Sequence, residues 1–124
     1  MAARFEPLTD SDRAIGEELA GWGKVALIET VGRVSGMAVT AAVGFIEDPD
    51  GSLLVAAGTD ASDWALNLRA DPHARVTIGD RTGPFEATES DDAERARAVA
   101  ELILKYGTPA ERLGRGPTFR LRPI

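Results

Sequence analysis

At 124 residues the chain has the length of one domain, and such a chain buries roughly two-thirds of the surface it exposes when unfolded. Fourteen Lys and Arg against twenty Asp and Glu give a net charge of −6, with the basic residues scattered. That argues against nucleic acid and anionic membrane as partners, since both require concentrated positive charge. With no cysteine and one histidine, His73, disulfides, thiolate catalysis and Cys- or His-rich metal centres are excluded, and a protein without bound metal is expected. No leader-like or membrane-length apolar run is present, so a cytoplasmic protein with 1–124 as its one domain is expected.

In chain order, Ile15, Leu19 and Trp22 fall at helical spacing after an Asp10-Ser11 start signal, which predicts an amphipathic capping helix over 11–22. Residues 25–30 form an apolar run of strand formers that leads into the glycine-bounded turn Gly32-Arg33-Val34-Ser35-Gly36. A second strand is predicted over 39–47. It turns at Asp48-Pro49-Asp50-Gly51, where Pro after Asp and a Gly at the fourth position favour a hairpin, and returns over 52–57. Ser62 is placed to cap a short helix carrying Trp64, Asn67 and Leu68, which Asp71-Pro72 stops.

Strands over 75–78 and 85–88 flank the turn Gly79-Asp80-Arg81-Thr82-Gly83, and His73 reads as a solvated loop residue. The acidic stretch Ser90-Asp91-Asp92-Ala93-Glu94 suits a helix start, and Ala96, Val99, Ala100, Ile103 and Leu104 predict one apolar stripe. Gly107 and Pro109 end that helix, and residues 118–122 alternate as a last strand. Six strands in successive hairpins with short helices between them predict a mainly β, antiparallel, closed sheet.

No Walker loop, dinucleotide glycine fingerprint or catalytically spaced carboxylate pair occurs. The turn after the first strand is the informative feature. Gly32 and Gly36 let backbone N–H groups approach an anion, Arg33 offers a guanidinium fork, and Ser35 and Thr40 add hydroxyl donors. Taken alone, it also reads as an ordinary glycine turn with an exposed arginine.

The segment 28–36, followed by Val55-Ala56-Ala57-Gly58, then 62–72 and finally 116–123, resembles the deazaflavin-dependent nitroreductase family in order and spacing. The resemblance spans about residue 25 to the last residue. It implies a six-stranded split β-barrel related to flavin mononucleotide (FMN)-binding barrels, and coenzyme F420 as hydride donor to a small organic substrate such as a nitro or unsaturated compound. It further implies cofactor contacts at Gly32, Arg33, Ser35, Gly36, Thr40, Ala57, Trp64 and Asn67, with Trp64 as a pocket wall and Asn67 fixing helix or ligand. In the alternative, Trp64 plugs the barrel end.

Tyr106 falls where the family tends to place tyrosines near substrate, so it is a candidate proton donor, or else a partly exposed helix-end residue. The chain departs from the family in having Val34 and Met37-Ala38-Val39 where Lys or Arg is common. That departure leaves open an FMN protein, or a binding protein for FMN, haem or another planar ligand without turnover. A homodimer is expected, because half-open small barrels leave apolar sheet and strand edges to be covered.

Overall fold

The computed structural model describes residues 23–107 and 115–124; the capping helix expected over 11–22 lies outside them. The described residues form seven strands, β1 (Ala26–Val31), β2 (Ala38–Val43), β3 (Ile46–Glu47), β4 (Leu53–Ala56), β5 (His73–Ile78), β6 (Arg81–Glu89) and β7 (Thr118–Pro123). Two helices interrupt them, α1 (Asp63–Ala70) and α2 (Asp92–Tyr106). The strands make one sheet in the order β2-β1-β5-β6-β7-β4-β3, and all neighbours are antiparallel. The sheet curls into a split barrel whose edge strands, β2 and β3, are not paired with each other.

Burial follows the pleat. Along β1 the inward Ala26, Ile28 and Thr30 alternate with outward Leu27, Glu29 and Val31. Inward residues from all sides of the barrel, among them Ile28, Leu53, Val55, Val76, Phe119 and Leu121, meet in one core. Burying each large apolar side chain contributes roughly 1.5–3 kcal/mol.

The strand expected over 39–47 is two strands, so the barrel has seven and not six. Gly44 and Phe45 break it because Tyr106 crosses there. A Cβ on Gly44 would lie 2.9 Å from the Tyr106 ring, and the Tyr106 hydroxyl accepts a hydrogen bond from Phe45 N at 3.2 Å. β6 is also longer than expected: the turn before it contracts to Gly79-Asp80, with Ile78 paired to Arg81. Gly79 adopts φ +61°, as the first position of a two-residue hairpin turn prefers.

α2 begins at Asp91, whose carboxylate accepts from Glu94 N at 2.8 Å. Its buried face is rotated from the expected stripe: Ala98 and Leu102 are buried, Val99 and Ile103 partly so, and Ala96, Ala100 and Leu104 are exposed. The i, i+4 pair Ala98 and Leu102 sits over the sheet, with Leu102 in a small second core with Ala56, Ile46, Ile103 and Tyr106.

A charged cluster completes the attachment of α2. The Arg120 guanidinium is 11% exposed and bridges Asp48 (2.9 Å), Glu94 (2.7 Å) and Ser52 Oγ. Arg97 of α2 also pairs with Asp48. Hydrogen bonds from Arg97, joined by those from Arg120, outweigh burial and hold the Asp48 carboxyl down to about 2.

Candidate functional site

The turn between β1 and β2 is closed by its own backbone. Gly32 N donates to Met37 O and Gly36 N to Gly32 O, both at 2.8 Å. Its two glycines are required for different reasons. Gly36 has φ +73°, a conformation that costs other residues free energy, and a Cβ on Gly32 would lie 2.6 Å from Ser35 Oγ. The Ser35 hydroxyl accepts from Met37 N at 3.1 Å, and its own proton remains available to a partner.

Across from this turn stands the start of α1. Asn67, 1% exposed, accepts at Oδ1 from Arg33 N (3.1 Å) and Arg33 Nη1 (2.8 Å). Its Nδ2 donates to Thr30 Oγ1 at 3.1 Å. Asp63, one turn earlier on the same face, takes Arg33 Nη2 at 3.2 Å. One edge of the guanidinium is thus held against α1, while among the described residues Nε donates to nothing. The glycine turn and the helix start are one clamped unit.

Beside the clamp, Gly58, Thr59, Asp60 and Arg115 line an open depression of about 580 Å³. Ser62 holds the N-cap position, but its side chain makes no capping hydrogen bond, so the expected cap contact is not formed. Thr59 Oγ1 instead accepts from Ala61 N at 3.1 Å. A Cβ on Gly58 would meet nothing within 4 Å, leaving its backbone bare to the depression. Gly116 is pressed against the same loop, since a Cβ there would lie 2.5 Å from Thr59 O and 2.6 Å from Ala57 O. The uncapped N–H groups of the helix start, Arg115 and several hydroxyls are suited to an anion, while Asp60 also lines the depression and Arg33 is already paired with Asp63.

The remaining residues singled out from the sequence distribute as follows. Thr40 is exposed on β2, in register with Glu29. Ala57 is buried, its N–H bonded to Pro117 O at 2.9 Å. Trp64 is 9% exposed and packs in the main core, its ring 6.1 Å from that of Phe119 and tilted by 58°. Tyr106 lies at the other end of the sheet, where its hydroxyl donates to Lys24 O at 2.7 Å. His73 is largely exposed and opens β5 between Asp71 (2.8 Å) and Glu86 (3.7 Å).

Sequence reasoning missed Thr30, Asp63, Thr59 and Arg115. The i, i+4 spacing of Asp63 and Asn67 on a predicted helix is a signal that could have found the first pair of contacts to Arg33. Nothing local marks the other three, which depend on which loops meet.

The curled antiparallel sheet with two helices defines a split-barrel protein. Residues 5–115 match the F420H(2)-dependent quinone reductase family, and the chain belongs to that family. It is thereby a member of a family of F420-dependent reductases, whose description names F420 and not FMN. Among solved structures it is similar to an F420-H2 dependent reductase (FDR-A) at 23% identity, with 80% of this chain and 94% of the other covered and a TM-score of 0.67. It is similar to HutZ, the heme storage protein from Vibrio cholerae, at 19% identity, 96% and 92% coverage and TM-score 0.68. A structure described as a domain-swapped dimer matches at 23% identity, 91% and 98% coverage and TM-score 0.65. These three likenesses establish the split-barrel fold. No helix among the described residues is long and apolar enough to cross a membrane.

Proposed function

We propose that the protein uses reduced coenzyme F420 to reduce a small organic acceptor, a quinone or a nitro or unsaturated compound, with the cofactor phosphate held between the glycine turn and the start of α1. The observation that carries this reading is the Arg33–Asn67–Asp63 clamp, which holds one edge of a guanidinium and leaves the other toward solvent beside an uncapped helix. F420, when bound, supplies the hydride. The protein's own part is to bind and orient. Arg33 and Arg115 hold the phosphate oxygens, the Ser35 hydroxyl and the first N–H groups of α1 donate to them, and Gly36 and Gly58 keep the approach open.

In this reading Asn67 acts on the turn and not on the ligand, Ala57 and Trp64 support the site from within the core, and Thr40 borders it on β2. Tyr106 is a strut, because its proton is already given to Lys24 O. A second reading, a carrier of FMN, haem or another planar ligand, draws on Val34 and Met37, which are 93% and 70% exposed where the family commonly has cations. Anaerobic titration with reduced F420, FMN and haemin, followed by mixing with menadione, separates the two: oxidation of F420H2 supports the first reading, and tight haem or FMN binding without turnover replaces it.

Arg33→Ala is expected to weaken F420 binding by one to two powers of ten, as loss of a charge-assisted hydrogen bond of roughly 1.5–3 kcal/mol implies. Thermal stability should fall by only about 1 kcal/mol, since the lost bonds to Asp63 and Asn67 are partly exposed. Arg33→Lys should recover part of the affinity, a point charge being unable to reproduce the fork. Equal affinity of Arg33→Ala and wild type in a fluorescence titration would move the phosphate elsewhere.

A homodimer goes with this reading. The outer face of β2, β1 and β5 pairs Glu29 with Arg75 in register, and Val31 beside them is 42% exposed. A second copy related by a twofold axis can set each Glu29 against the other's Arg75. Light scattering should return twice the 13.1 kDa chain mass, and Arg75→Glu should shift it to the monomer mass. A wild-type monomer at micromolar concentration would refute the assembly.

A further inference from the structure

At the end of the barrel away from the glycine turn, the split in the sheet leaves a cleft. The first residues of β6, Arg81 to Gly83, pair with β5 alone, because the β7 side reaches β6 only at Pro84, whose carbonyl accepts from Ile124 N at 3.1 Å, and at Phe85, opposite Pro123. The gap is a cleft of about 410 Å³ with Leu53, Val76, Ile78, Phe85 and Pro123 as its apolar walls, within the size range of small-molecule sites.

Two features say what such a cleft takes. Gly83 lies on the inward-facing side of β6 with Phe85 and Ala87, opposite Val76, where the alternation calls for a core side chain. A Cβ there would meet nothing within 4 Å, and the residue has no positive φ, so neither crowding nor backbone conformation demands glycine. A glycine inside a strand weakens it and marks a place where something else approaches closely, and among the described residues nothing does. The rim charges are also spent on each other: Arg81 grips Glu47 with both terminal nitrogens, at 3.0 and 3.1 Å. A charged ligand would have to break that pair, whereas an uncharged one leaves it intact.

We infer that this cleft is a binding site for an uncharged, largely apolar small molecule of at most about two fused rings, admitted past the Glu47–Arg81 pair into the space left by Gly83. The site is separate from the one at the glycine turn and stands or falls independently of the F420 reading.

Prodan, an uncharged naphthalene fluorophore, is the probe. Titrated into the full chain, it should give a saturable blue shift that 1-octanol reverses and octanoate at the same concentration does not. Gly83→Val should weaken prodan at least tenfold with an unchanged or higher melting temperature, since Val favours strands and fills open space. Gly83→Ala should give a smaller loss of about threefold and serves if the valine variant folds poorly. Arg33→Ala should bind prodan as wild type does. No saturable shift, as a cleft filled by another part of the chain would produce, overturns the inference. So do undiminished binding by both Gly83 variants and displacement by octanoate as effective as that by octanol.

Discussion

Replacing Arg120 with Met is expected to destabilise the protein by about 3–5 kcal/mol, the usual cost of removing one partner from a buried ion cluster. The guanidinium sits between two strand segments and α2, satisfying Asp48, Ser52 and Glu94 at once. Met fills much of the volume but leaves Glu94 without its cation and Asp48 with Arg97 alone, both carboxylates having part of their hydration gone. Since a domain is stable by only about 5–15 kcal/mol, the change should be plain in urea melts. Neutralising the orphaned Glu94 as well, with Glu94→Gln added to Arg120→Met, should return part of the loss.

The pH dependence has a definite sign. Asp48 titrates at about 2 in the folded chain against an ordinary 3.8, so its contribution is fully present above about pH 4 and is lost as pH falls toward 2. The penalty of Arg120→Met should therefore shrink in acid. Coincident urea midpoints for wild type and variant at neutral pH would show that the cluster holds nothing together.

Asn67→Leu should produce the second large effect, a loss of about 2–3 kcal/mol together with at least a tenfold weakening of F420 binding. The substitution keeps the shape of the side chain but strands the Arg33 N–H, removes the acceptor of Arg33 Nη1 and leaves the buried Thr30 hydroxyl only its bond to Val39 O, and unsatisfied buried polar groups carry about 1–3 kcal/mol each. Binding suffers because the glycine turn loses its tie to α1. Asn67→Asp is the informative companion: it keeps an acceptor for Arg33 N, so it should retain most of the turn's geometry. If Asn67→Leu binds F420 as well as wild type while unfolding earlier, the turn is not part of the cofactor site.

The legible parts of this fold are those written in local chemistry. The acidic start of α2 over 90–94, Asp71-Pro72 as a helix stop, the Asp48 to Gly51 turn and the strand run around Ile28 each depend on neighbours within a few residues. The split of the 39–47 strand was hidden because its cause, Tyr106, is some sixty residues away. The α2 stripe was misread for a related reason: Leu104 and Ile103 are both apolar, and only the sheet beneath decides which is covered. At the rim, Arg33, Ser35 and the glycines were visible as a turn, but the role of Asn67 as its clamp depends on a contact thirty-four residues apart. Arg115 and Thr59 become neighbours only once the loops close.

The small separate core under α2 has a consequence for how the molecule breathes. Among the described residues, Leu102, Ile103, Tyr106 and two strand residues make up that patch, while the barrel has its own larger core. Little apolar area and a cluster of charges join the two, so α2 can lift from the sheet at a lower free energy than the barrel needs to open. The Tyr106 hydroxyl, bonded to Lys24 O and Phe45 N, is released in the same event, so excursions of the helix loosen the approach to β1 and the bend between β2 and β3 together. Amide protons of α2 then exchange with solvent ahead of those in β1 and β5, and the barrel outlasts its own helix.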